Sequence, residues 1–259
     1  MEVAICATYD ELSKLAAEAV ADVIRKKPNA VIGLATGSSP LGLYRELIRL
    51  HKEEGLDFSR VTSFNLDEYV GLSGGHEQSY RQFMNKNLFE GINIKMVNTN
   101  VPDGLVKDYK AFCKAYEEKI AAAGGIDVQV LGIGSDGHVG FNEPGDSLAS
   151  RTHTVTLNEQ TIKDNARFFE RKEDVPIFAC TMGVGTILDA RKCVLVANGR
   201  NKAKVVAVMI EGPISSMCTA SALQMHNDTM VFLDEDAASG LKLADYYRWI
   251  QKNKPKAPK

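Results

Sequence analysis

The order of apolar segments predicts an α/β fold: a mostly parallel β-sheet with helices against both faces. Two observations carry that prediction. Short, β-branched runs alternate with stretches whose apolar residues recur at helical spacing, the pattern of repeated strand–helix–strand units. No Pro- or Ser-rich linker and no internal repeat divides the 259 residues, so a single domain over 1–259 is expected, within the size of one large α/β unit. Hydrophobic residues make up 44% and charged residues 25% of the chain, ordinary globular values that supply a substantial core.

Taken in order, residues 30–34 read as a strand. Residues 40–53 follow as a helix with Leu43, Leu47 and Leu50 on one face. Residues 61–66 read as the next strand and 80–89 as a helix. A long helical pattern over 106–122 stops at Gly124 and Gly125, a normal helix terminator, and leads into a strand at 126–133. Residues 152–157 alternate as a strand, and 158–169 and 183–190 read as helices. Then come a strand at 192–197, a helix at 202–210 and a late strand at 230–233. The basic, proline-containing end, 252–259, reads as a frayed tail.

The formal net charge of −2 argues against a general nucleic-acid or anionic-membrane surface, while leaving room for a local basic pocket. Cys6, Cys113, Cys180, Cys193 and Cys218 show no CxxC or zinc-ligand spacing. An odd set of scattered thiols fits a reducing cytoplasm. The first residues, MEVAICATYDEL, lack the basic region and apolar run of a secretory signal, and no apolar stretch approaches membrane-spanning length. A cytoplasmic protein is expected.

Three segments carry chemistry. Residues 131–144, LGIGSDGHVGFNEP, place Asp136, His138 and Glu143 just after a strand, where open α/β sheets bind ligands. Carboxylates around an imidazole can fix its tautomer and raise its basicity. Gly132, Gly134, Gly137 and Gly140 let a substrate approach the backbone. A metal ranks lower here, because the segment offers one histidine and no helical His pair or cysteine cluster. Second, Thr36, Gly37, Ser38 and Ser39 stand between a strand and a helix that opens with Pro40, a ready anion site. Without a Gly-Lys-Ser/Thr ending or GxGxxG, neither ATP nor a dinucleotide is indicated, and a simple capped helix start fits the loop equally well. Third, SFNLDEY at 63–69 puts Asp67 at a strand end, where partial burial moves a carboxylate toward general-base range; alone it would pass for an acidic loop. Arg167 and Lys202 are the basic residues placed to meet a phosphate, although solvated charge is the commoner fate of such residues.

Read together, LATGSSPLGLYREL (34–47), SFNLDEYVGL (63–72), LGIGSDGHVGFNEPG (131–145), LASRTHTVTL (148–157), ARFF (166–169), TMGVGTILDA (181–190) and GRNK (199–202) resemble the glucosamine-6-phosphate deaminase family, in its order. The resemblance implies a Rossmann-like three-layer sandwich that converts glucosamine 6-phosphate and water to fructose 6-phosphate and ammonia without metal or organic cofactor. It assigns Asp67 to proton transfer between the second and first carbons, and His138 to ring opening with Asp136 and Glu143 in support. Thr36 to Ser39, Arg167 and Lys202 take the phosphate, and residues 143–169 are where a lid over the site is expected. The implied partner is a small amino-sugar phosphate, with neither nucleic acid nor membrane. The enzymatic rival is a 6-phosphogluconolactonase-like hydrolase, which needs no carbon-proton shuttle. The rival of another class is a non-catalytic sugar-phosphate sensor; only about thirty residues precede the first predicted strand, too few for a helix-turn-helix extension.

Family members activated by N-acetylglucosamine 6-phosphate carry serines after the Glu-Pro and then two basic residues. This chain has Asp146, Ser147, His153 and Val155 there, so a second phosphate is poorly held, and a monomer or small homo-oligomer is expected. Adding that effector is predicted to leave the substrate saturation curve in place; a large fall in the apparent substrate constant would contradict this.

Overall fold

The computed structural model describes residues 1–166, 169 and 171–254. In chain order the elements are β1 (Glu2–Cys6), α1 (Tyr9–Lys26), β2 (Val31–Leu34), α2 (Leu41–Glu54), β3 (Thr62–Asn65), β4 (Asp67–Tyr69), α3 (Tyr80–Asn87), β5 (Thr99–Asn100), α4 (Tyr109–Ala122) and β6 (Val128–Leu131). They continue as β7 (His153–Thr156), α5 (Glu159–Asn165), β8 (Phe178–Thr181), α6 (Val184–Leu188), β9 (Cys193–Ala197), α7 (Ala203–Glu211), β10 (Thr229–Asp234), α8 (Glu235–Ala238) and α9 (Ala244–Lys252). Seven strands form one sheet in the order β1-β10-β9-β6-β2-β3-β5, and every pairing in it is parallel. A second sheet, β4-β8-β7, is antiparallel.

The predicted layers follow from burial. β2, β6 and β9 are buried at every residue, as parallel strands covered on both faces must be, so they read as unbroken apolar runs. On one face Leu12, Ala16 and Val20 of α1 and Leu43 and Leu47 of α2 pack with Ile32, Val128 and Val194. On the other, Tyr116 of α4 and Val206 and Met209 of α7 pack with Val31, Leu131 and Leu195.

The structure corrects several expectations. The first strand is not at residues 30–34: β1 and α1 precede it, so the leading segment is built into the main sheet. The helix predicted from 106 starts at Tyr109, because the Asp108 side chain accepts the Ala111 N–H at 3.0 Å and caps it. Asn158 is likewise the cap of α5, not its first helical residue. The tail is tied further than expected: Lys252 ends α9, Gln251 Oε1 accepts the Ile5 N–H of edge strand β1 at 3.1 Å, and Lys254 pairs with Glu2. Residues 255–259 lie outside the described residues.

At the edge opposite the strands' carboxyl ends, Asp127 is buried and accepts the Val31 N–H at 2.8 Å, with Lys27 Nζ at 2.8 Å and Arg191 Nη1 at 3.2 Å. Removing it strands a buried amide of β2. Asp127→Ala is predicted to lower unfolding free energy by about 2 kcal/mol, as thermal and denaturant melts would show.

Candidate active site

Beyond the carboxyl ends of β2, β3, β6 and β9 lies an open cleft of about 730 Å³, lined by Thr36 to Ser39, Asp67, His138 and Lys202. Segments far apart in sequence therefore converge as the strand order required. Asp136 and Glu143 stand behind His138. Arg167 falls outside the described residues. Sequence reasoning missed Tyr80, Thr161, Lys163 and Asn165, which also line the cleft; the last three come from α5.

The loop before α2 is held from below. Gly37 adopts φ 93°, open only to glycine at low cost. Among the described residues neither Pro40, the N-cap residue, nor the loop serines cap α2 with a side chain, so the loop is not a serine-capped helix start. Instead the Tyr9 hydroxyl accepts the Gly42 N–H at 2.7 Å and donates to the carbonyl side of the loop, 2.9 Å from Ser39 O. Across the cleft, Lys202 Nζ donates to Ile133 O at 2.8 Å, which fixes the ammonium beside the end of β6.

Asp67 sits where the chain leaves the main sheet at β3 and enters the second sheet at β4, opposite Thr181 of β8. Only 5% of it is exposed. Burial, with Glu68 adding repulsion, pushes its pKa up to about 7, although His138 pulls the other way. Glu68 is spent on structure: its carboxylate accepts the N–H groups of Tyr69 (2.9 Å), Tyr80 (3.0 Å) and Arg81 (3.0 Å), so it anchors the start of α3.

His138 packs its ring on the backbone of Gly134, where an added Cβ would lie 2.4 Å from Cε1. Nδ1 lies 2.7 Å from Asp136 Oδ1 and 3.7 Å from Glu143 Oε2, a charge contact poorly aligned with the ring N–H. Burial alone pushes the imidazole down; Asp136 and Glu143 more than reverse this, and its pKa is raised. Asp136 is also desolvated, but the nearby imidazole, the His138 backbone N–H at 3.2 Å and Asn158 hold it below the usual carboxylate range. Glu143 moves the opposite way, raised by burial against the pull of His138. The donor atoms of Asp136, His138 and Glu143 lie within 4.8 Å of one another, a spacing that suits a cation. However, Asn158 Nδ2 donates to both carboxylates, and a hydrogen-bearing amide among the donor oxygens opposes metal binding there. Gly134→Ala is predicted to displace the imidazole and cut kcat by on the order of a hundredfold with little change in KM; unchanged kcat would show that the ring is not held by this contact.

A sequence profile of the family described as glucosamine-6-phosphate isomerases/6-phosphogluconolactonase matches residues 6–232. The glucosamine-6-phosphate deaminase of Arthrobacter sp. (strain FB24) is 54% identical over 255 residues, which cover 98% of each chain. The solved structure of a monomeric glucosamine-6-phosphate deaminase superposes with a TM-score of 0.91 at 49% identity, over 93% of this chain and all (100%) of its own. The 6-phosphogluconolactonase of Trypanosoma brucei shares the fold, with a TM-score of 0.74 at 21% identity over 93% of this chain and 98% of its own. The chain belongs to the glucosamine-6-phosphate isomerase/6-phosphogluconolactonase family.

Proposed function

We propose that this chain is a glucosamine-6-phosphate deaminase, converting glucosamine 6-phosphate and water to fructose 6-phosphate and ammonia. The observation that carries the reading is Asp67, a carboxylate buried at the cleft wall with its pKa pushed up to about 7. Moving a proton between carbons needs a base of that strength sheltered from water. Hydrolysis of a lactone needs no such group. The relatives named deaminases are about half identical over nearly the whole chain, whereas the lactonase likeness extends to the fold alone.

In this mechanism the sugar phosphate binds through the loop of Thr36 to Ser39, Lys202 and Arg167, which supplies binding energy remote from the chemistry. His138 passes a proton between the anomeric hydroxyl and the ring oxygen, and the ring opens to an aldehyde. Asp136 and Glu143 keep the imidazole basic enough for both halves of that exchange. Asp67 takes the C2 proton while the substrate's ammonium gives a proton to the aldehyde oxygen, leaving an enolamine, and Asp67 then returns its proton to C1. The C2 imine then adds water and expels ammonia. No redox partner enters the balance.

For regulation and assembly, Asp146 Oδ2 lies 3.9 Å from His153 Nε2, so a carboxylate already faces the position where an effector phosphate would need a cation. The monomeric relative supports a monomer or small oligomer. The five cysteines are free and buried, which supports a reducing cytoplasm. No helix among the described residues is long and apolar enough to cross a membrane.

Ammonia release from glucosamine 6-phosphate, with 6-phosphogluconolactone as control, separates the readings. Deamination without lactonase activity is expected; lactone hydrolysis alone, or sugar binding without turnover, would overturn the assignment. Because Asp67 works ionised, kcat/KM is predicted to fall about tenfold per pH unit below pH about 7. Stability runs the other way. A carboxyl whose pKa is raised on folding favours the native state while protonated and loses that contribution as pH rises from the usual carboxylate range through about 7. Asp67→Asn is therefore predicted to abolish turnover, retain phosphate-dependent binding, and raise the melting temperature by a few degrees at pH 8 but not at pH 4. Near-normal activity in that variant would remove Asp67 from the mechanism.

A further inference from the structure

We propose that Asn158 is a positioning residue that joins the Asp136–His138–Glu143 group to the start of α5. Its side-chain amide is used on both sides. Oδ1 accepts the Thr161 N–H at 2.8 Å and caps α5. That bond orients the amide, so Nδ2 must face the other way, where it donates to Asp136 Oδ2 at 3.1 Å and to Glu143 Oε2. The Asn158 backbone N–H reaches Glu143 Oε1 at 3.4 Å, and the Thr161 hydroxyl also bonds Glu143.

Two carboxylates close to one imidazole repel each other, and each has lone pairs to satisfy. A neutral two-hydrogen donor between them holds both in place without adding charge. A serine or threonine at this position could cap α5 but could not reach both oxygens. Thr161, Lys163 and Asn165 of α5 line the cleft, so the helix that closes one wall and the group that opens the sugar ring share one amide. The groups facing His138 are Asp136 and Glu143 from its own loop, Lys202 from the start of α7 and Asp67 from β4. Asn158 acts on the first two, whose charge sets how readily the ring takes a proton.

This inference rests on the reading of His138 as the ring-opening group, and its test includes a readout that needs no substrate. Asn158→Ser keeps a capping oxygen and loses the reach to the carboxylates. Asn158→Asp keeps the cap and replaces the donor with a third carboxylate. The serine variant is expected to melt near wild type, lose on the order of tenfold in kcat with little change in KM, and show an altered His138 titration by NMR. The aspartate variant is expected to shift that titration to higher pH, because added negative charge favours the imidazolium. If both variants move only the melting temperature, leaving kcat and the His138 titration unchanged, Asn158 is a helix cap and the proposal falls. If wild type releases no ammonia, the functional reading falls instead, and the NMR titrations still decide the role of Asn158.

Discussion

Burying Asp67 where the chain passes from one sheet into another is the constraint on which the rest of the site depends. A carboxylate in that position is expensive to ionise, and an ordinary core would pair it with a cation or several N–H groups. Its neighbour Glu68 shows the ordinary solution, with three backbone amides on one carboxylate. Among the described residues Asp67 receives nothing comparable. The handover from β3 to β4 makes the difference: β3 belongs to the parallel sheet and β4 to the antiparallel one, so alternate residues face different surroundings. Glu68 turns toward the start of α3, and Asp67 toward the cleft.

The second carboxylate group is organised differently. Asp136 and Glu143 are also partly desolvated, but His138 and Asn158 supply charge and donors, and Asp136 is held acidic. At the cleft stand Asp67, raised toward neutrality, and His138, also raised, and behind the imidazole stand Asp136, lowered, and Glu143, raised. Separating titrations in this way lets neighbouring acids take different roles in one reaction. The glycines serve this arrangement sterically. Gly134 leaves room for the imidazole, and Gly140, with φ 60°, lets the loop pass where a Cβ would lie 2.9 Å from Thr181 Oγ1 and 3.6 Å from Asp67 Oδ2.

Much of this was legible in the chain. The buried parallel strands declare themselves as apolar runs, and the Asp-Gly-His segment stands out because so few side chains of its type share so many glycines. What was not legible has physical reasons. β1 is an edge strand whose pattern merges into α1, and its burial depends on β10, which follows more than two hundred residues later. β4 spans only Asp67–Tyr69, too short for alternation to register, so the second sheet is invisible until β8 pairs with it. Asn158 and Tyr9 were missed because each acts through contacts across the fold: a capping asparagine and a helical tyrosine are common, and only geometry shows that one reaches two carboxylates and the other braces the loop before α2. The structural role of Glu68, beside Asp67 in the same segment, shows only in its bonds to the N–H groups of Tyr69, Tyr80 and Arg81.

The most direct test of the central claim follows the hydrogen itself. With glucosamine 6-phosphate deuterated at C2, a single buried carboxylate that collects and returns the proton should leave part of the deuterium on C1 of fructose 6-phosphate, above the level expected from mixing with water. Deuterium lost entirely to solvent at every turnover would contradict a sheltered Asp67, and ammonia formed with the label still on C2 would contradict a carbon-proton transfer altogether.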